Sequence, residues 1–306
     1  MKRMTPLLLA LVAACTLAVT LVSAQTAKPK PGPKALPVVF AVLNDGKIVE
    51  PIGYLEKGKL APTVDGASEA PKLAAFNRQY YKPATTYRLI FGGADAGTIT
   101  IKSSDPKAEC IANTAQVTFA STRAKLKGNV MGLATNAAAS AKASGVRRLP
   151  TVAERTEIEV LVRAELAKQK VAESAAKDLK YHNLTSLDVD NDGTIEQVGT
   201  FWVDTGTTSR ALLFFIAFKN SDGKYTFGHT DFRNIEQKDV MSRDIKDVDT
   251  GVYHERLLDV FDIDNDGVAE VFTYIQSFEG AGFNAYKRAA GKWTNVFEGS
   301  NYHCGY

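Results

Sequence analysis

The chain has 306 residues, 45% of them apolar and 23% charged, with 37 basic against 34 acidic side chains. That balance excludes a disordered chain, a collagen and a polytopic membrane protein, and the length allows one large or two modest domains. A net charge of +3 without a Lys/Arg block gives no phosphate-tracking groove, so no nucleic-acid partner is expected.

The N-terminus reads as an address. Lys2 and Arg3 precede an apolar run from Leu7 to Val22, interrupted only by Thr16 and Thr20. As a helix the run spans about 24 Å, short of the ~30 Å hydrocarbon core. With small residues at Val22-Ser23-Ala24, residues 1–24 are expected to be a secretory signal cleaved before Gln25. An uncleaved anchor is a second reading. Val12-Ala13-Ala14-Cys15 also resembles a bacterial lipobox, which would lipidate Cys15 and hold the chain on a membrane. All three readings put the chain outside the cytoplasm, secreted or periplasmic. Loss of residues 1–24 would leave 35 basic against 34 acidic side chains and two cysteines, Cys110 and Cys304. In an oxidising compartment that pair is expected to bond.

Residues 25–37, rich in proline and lysine, read as an extended spacer. A β-rich region is expected over 38–136. Val38 to Leu43, Asn44-Asp45-Gly46 and the run from Lys47 give a strand–turn–strand signal, since Asp-Gly supplies the positive φ of a tight hairpin. Pro71 to Tyr81 reads as a helix, and strands follow at Tyr87–Phe91 and Thr98–Lys102 around a glycine-containing turn from Gly92 to Gly97. That turn lacks the Lys-Ser/Thr and following helix of a phosphate loop and reads as a plain hairpin. Residues 137–150 read as an Ala/Ser linker. The clearest helix signal follows, from Thr151 to about Ala176 within a segment 151–180. Thr151 and Glu154 form a capping box, and Ile158, Leu161, Val162 and Leu166 share one face. Over 181–306 strands are expected at Gln197–Val203, Ala211–Phe218, Tyr225–Gly228, Val271–Phe278, Asn284–Lys287 and Trp293–Phe297.

Two segments in this last region match over twelve positions. Leu187-Asp-Val-Asp-Asn-Asp-Gly-Thr-Ile-Glu-Gln-Val198 and Phe261-Asp-Ile-Asp-Asn-Asp-Gly-Val-Ala-Glu-Val-Phe272 both alternate carboxylates with apolar residues. Carboxylates so spaced repel unless a hard dication draws them together, and Ca²⁺ takes six to eight oxygens at about 2.3–2.6 Å. The expected ligands are Asp188, Asp190, Asp192, the Thr194 carbonyl and Glu196 in one loop. In the other they are Asp262, Asp264, Asp266, the Val268 carbonyl and Glu270. An EF-hand would place Glu at the twelfth loop position, which holds Gly199 and Thr273 here. A Gly-Lys-aromatic-Thr run follows each loop, at Gly223-Lys224-Tyr225-Thr226 and Gly291-Lys292-Trp293-Thr294, so the unit is an internal repeat. Loop and strands together resemble the calcium-loop repeats of the integrin-type FG-GAP and VCBS families, over about 120 residues. The resemblance implies two structural Ca²⁺ sites and a role in adhesion or ligand display. A propeller takes at least about four blades and only two units are found, so a smaller two-repeat β-domain is expected.

No HExxH motif occurs at His182, His229, His254 or His303, and no Gly-x-Ser-x-Gly motif occurs. His182 and His254, each preceded by tyrosine and followed by a loop, are expected to be hydrogen-bonded structural residues, with ligand orientation as the alternative. The expected fold is mostly β (α+β). The expected function is a secreted or periplasmic calcium-binding module, non-catalytic, that meets a protein or glycan ligand. The alternative is a secreted hydrolase with a site in the N-terminal half or between the halves.

Overall fold

The structure, a computed structural model, describes residues 35–140 and 142–304. The expected signal segment, Cys15 and most of the spacer lie outside the described residues. Among these, no helix is long and apolar enough to cross a membrane.

The first seven strands are β1 (Val38–Leu43), β2 (Ile48–Glu56), β3 (Lys59–Ala61), β4 (Thr86–Phe91), β5 (Ala94–Ser103), β6 (Ala115–Ser121) and β7 (Gly132–Thr135). Six of them close into an antiparallel barrel in the order β1-β7-β4-β5-β6-β2, sealed by pairing of β1 with β2, and β3 extends β2 at the rim. Closure removes the free edges that an open sheet would present. Phe40, Tyr87, Leu89, Ile99 and Val117 fill the interior. Helix α1 (Ala70–Tyr80) packs there through Phe76 and Tyr80. Proline in its first turn starts it where no N–H partner is needed.

Beyond the barrel come the short β8 (Arg147–Arg148) and α2 (Val152–Lys168). Thr151 caps α2 as expected: its hydroxyl accepts from Glu154 N, and the Glu154 carboxylate accepts from Thr151 N. The helix is shorter than its pattern suggested. Lys170 adopts φ 63°, a left-handed turn that ends α2, and a separate short α3 (Glu173–Ala176) follows.

Two four-stranded antiparallel meanders make up the rest. The first consists of β9 (Lys180–Leu187), β10 (Glu196–Gly206), β11 (Ser209–Lys219) and β12 (Tyr225–Glu236), with β8 added outside β9. A short helix, α4 (Lys246–Asp249), leads to the second: β13 (Glu255–Phe261), β14 (Glu270–Gln276), β15 (Gly280–Ala289) and β16 (Lys292–Tyr302). In each meander the acidic loop joins the first strand to the second, and the Gly-Lys-aromatic-Thr run turns into the fourth. The repeat is therefore a repeat of structure. The fold is mostly β, as expected, and among the described residues no complete propeller is seen.

The layers stack. One face of the second meander, with Phe261, Phe272 and Phe283, meets the outward Val39, Ala41 and Ile90 of the barrel. Its other face, with Leu257, Val271 and Trp293, packs on Val198, Phe214 and Ile216 of the first meander. The far side of the first meander is covered by Ile158, Val162 and Leu166 of α2. Residues from Ala35 onward thus form one compact unit. The expected disulfide is present: Cys110 and Cys304 bond, fastening the end of β16 to the loop between β5 and β6. Beside it His303 lies 2.6 Å from the buried Glu50 of β2.

Candidate metal centres

The two acidic loops carry the same hydrogen bonds. Asp188 accepts from Gly193 N at 3.2 Å, and Asp262 from Gly267 N at 3.1 Å. Asp192 accepts from Thr194 N and Asp266 from Val268 N. The closing glutamates reach back, Glu196 to Val189 N at 3.1 Å and Glu270 to Ile263 N at 3.0 Å. Each loop turns through an asparagine and a glycine with positive φ, Asn191 (57°) and Gly193 (81°) in one, Asn265 (61°) and Gly267 (96°) in the other. These residue types carry that backbone at least cost, which is why Asn-Asp-Gly occupies the tip.

Folding brings three of the expected side-chain ligands of each loop together. Asp188, Asp190 and Glu196 each offer an oxygen within 4.8 Å of the others, as do Asp262, Asp264 and Glu270. Oxygens about 2.4 Å from one centre lie no more than about 4.8 Å apart, so the spacing suits a hard cation. Asp188, Glu196, Asp262 and Glu270 are buried. Asp188 Oδ1, Asp190 Oδ1 and Asp262 Oδ1 have no hydrogen-bond partner in the interior, a costly arrangement that a cation relieves. The same strain appears in the acidities. Desolvation, helped by the neighbouring aspartates, pushes Glu196 up to about 8 and Glu270 up to about 7. The aspartates 192 and 266 fall outside the clusters and brace the loop backbone instead.

Two consecutive cations on β15 face the two loops. Lys287 Nζ pairs with Asp264, with Asp266 at 2.8 Å and with Glu270 at 3.3 Å. Arg288 crosses to the first meander and pairs with Asp190 and, at 3.5 Å, with Glu196. Strand alternation sends the two side chains to opposite faces, so one strand supplies positive charge to both clusters. Neither partner was apparent in the sequence, because strand pairing alone sets that juxtaposition.

Two serines ahead of β8 reach the two loops: Ser140 Oγ donates to Asp262 at 3.0 Å and Ser144 Oγ to the Asp188 carbonyl at 2.6 Å. Ala269 N also donates to the Val189 carbonyl at 2.8 Å, linking one loop to the other. On the barrel side Gly58 (φ 74°) presses on the second loop so closely that a Cβ there would stand 2.7 Å from Asp264 Cβ.

The glycine turn is the expected hairpin, tightened to Gly92-Gly93 because β5 already starts at Ala94. Its two backbone donors meet a carboxylate of the chain itself: Gly92 N (2.9 Å) and Gly93 N (3.2 Å) donate to the buried Asp259. Arg147 Nη1 completes the set at 2.7 Å. The two histidines that precede the acidic loops pack together, His182 on His254 at 4.7 Å between ring centroids, with Trp202 stacked on His182. Contrary to expectation, neither ring nitrogen of His254 has a hydrogen-bond partner among the described residues, because the ring is enclosed by His182 and Trp202. Of the C-terminal aromatics, Phe283, Tyr286 and Trp293 are core residues.

No family model, curated protein or solved structure matches the chain. The site is therefore read from its own geometry: two buried acidic clusters able to hold a metal ion, and a disulfide compatible with an extracellular location.

Proposed function

We propose that the protein is an extracytoplasmic calcium-binding module of the FG-GAP/VCBS type, non-catalytic, with two structural Ca²⁺ ions and a protein or glycan ligand. The observation that carries this reading is the set of buried aspartate oxygens without partners at the centre of two matching loops. An all-oxygen, carboxylate-rich set favours a hard ion over zinc or copper, and a set of several protein carboxylates, rather than the one or two with retained waters usual for Mg²⁺, favours Ca²⁺. The carbonyls of Thr194 and Val268 and the second oxygens of the carboxylates would complete the shell. Each ion would join the ends of two strands of its meander, and secretion would supply the oxidising, calcium-rich surroundings.

Extracellular modules bind calcium at roughly 10⁻⁴–10⁻³ M. At a hundred times Kd each site would then stabilise the fold by about 2.7 kcal/mol. Calorimetric melting should show a higher Tm in 10 mM CaCl₂ than in EDTA. In the double variant Asp190→Ala/Asp264→Ala the gain should vanish. Identical melting with calcium and chelator would reject the proposal and make Lys287 and Arg288 permanent counter-ions.

A further inference from the structure

A second site lies away from the acidic loops. A cavity of about 520 Å³ is lined by residues from the end of β4, the segment between β6 and β7, β8 and the start of β9. Four cations line it, Arg123, Lys125, Arg147 and Arg148, and no carboxylate does. Two are cancelled from behind: Arg147 by Asp259 and Arg148 by Glu154, at 2.7 and 2.8 Å. Arg123 donates only to backbone carbonyls, those of Asp95, Phe91 and Gly145. Lys125 is exposed and pairs with no carboxylate among the described residues. Two positive charges at the cavity are thus uncompensated.

The walls are otherwise apolar. Phe91, Val130 and Leu184 line the cavity, and two further lining residues, Tyr181 and Leu149, are 44% and 78% exposed. Exposed apolar side chains gathered at one concavity mark a place where apolar surface can be covered. The Arg147 side chain, 3% exposed, lies over the Phe91 ring at 4.5 Å and spends Nη1 on Met131 O, Leu258 O and Asp259. Its Nη2 is buried without a partner, so the wall holds a desolvated donor with nothing to donate to.

We propose that this cavity binds an apolar monocarboxylate, a small organic acid whose hydrocarbon body covers Phe91, Leu184 and Tyr181 while its anionic head lies near Lys125 and Arg123. A phosphate would call for several converging donors. Here Arg148 is spent on Glu154 and Arg123 on backbone carbonyls, and Arg147 keeps only Nη2 free, which favours a singly charged head on an apolar body. The proposal is independent of calcium.

Isothermal titration in EDTA, so that no metal contributes, tests it with octanoate, octan-1-ol and octylammonium on the full chain. Octanoate should bind at least fivefold more tightly than octan-1-ol, and octylammonium should give no heat. The exposed substitution Lys125→Glu should weaken octanoate at least fivefold and leave octan-1-ol unchanged, with an unaltered circular-dichroism spectrum, while Lys125→Arg retains binding. No octanoate heat up to 10 mM, a preference over octan-1-ol below fivefold, or octanoate binding unaffected by Lys125→Glu would overturn the proposal.

Discussion

Single side chains decide how the acidic clusters behave without metal. Arg288 sits where a cation would otherwise neutralise Asp190 and Glu196, and Lys287 does the same for Asp264 and Glu270. If the sites hold Ca²⁺ as proposed, a resident cation would have to move aside before the ion enters, lowering affinity while supporting the ion-free fold. Arg288→Gln should therefore tighten calcium binding several-fold and lower the Tm in EDTA. The stability loss should be on the order of 1 kcal/mol, because the pair is partly hydrated. Calcium titration and melting of one variant read both effects, and weaker calcium binding would mean that Arg288 orients the ligands. Another buried side chain sets the acid limb. Desolvation, with His182 and Arg256 beside it, holds His254 down at about 3, against 6.5 for a free histidine. The unfolded chain takes up this proton below pH 6.5 and the folded chain does not, so stability falls as pH drops from 6.5 toward 3. The slope from this one group reaches about 1.4 kcal/mol per pH unit. Urea unfolding of His254→Phe should be flatter over that window than unfolding of the natural chain.

At the scale of elements, what the sequence discloses depends on whether the signal is local or an unbroken apolar run, and it fails where buried charges interrupt a strand. The capping box of α2 is legible because it is local, and Thr151→Ala should cost about 1 kcal/mol in urea unfolding, since one hydroxyl satisfies the Glu154 N–H. The acidic loops are legible for the same reason, as Asn-Asp-Gly fixes the turn and alternation fixes which residues point inward. β1 and the β4–β5 hairpin stand out through their apolar runs and turn residues. By contrast β13, Glu-Arg-Leu-Leu-Asp-Val-Phe, is buried along its whole length between the barrel and the first meander. It carries Glu255, Arg256 and Asp259 inside, so neither alternation nor an unbroken apolar run announces it. Glu255 is tolerated there because Thr273, Asn284 and Tyr286 all donate to it. Barrel closure is equally invisible: it depends on β7 pairing with both β1 and β4, contacts that span many residues of chain. The Lys287–Arg288 pair belongs to this class, ordinary in sequence and decisive once β15 lies beside both loops.

For the whole molecule, the point where three parts meet is the Arg147–Asp259 pair. Asp259 belongs to the second meander, Gly92 and Gly93 to the barrel, and Arg147 to the strand added to the first meander. Both side chains are almost fully removed from water, at 3% and 0% exposure. A buried pair of this kind adds little over a well-packed apolar pair, yet removing one partner strands the other at a cost of about 3–5 kcal/mol. Asp259→Asn keeps the shape, but it turns two N–H groups toward a nest built of donors and leaves Arg147 uncompensated. Since the meanders and barrel share their core layers, the loss should appear as a shift of one cooperative transition and leave no separately melting half. At about 2 °C per kcal/mol for a chain of this size, the calorimetric Tm should fall by about 6–10 °C. The double variant Asp259→Leu/Arg147→Met, which removes both charges, should recover only the part of that fall due to the stranded Arg147 charge, because the Gly92 and Gly93 N–H groups stay buried without an acceptor. If Asp259→Asn instead splits the calorimetric peak in two, the barrel and the meanders are separate folding units that merely touch at this pair.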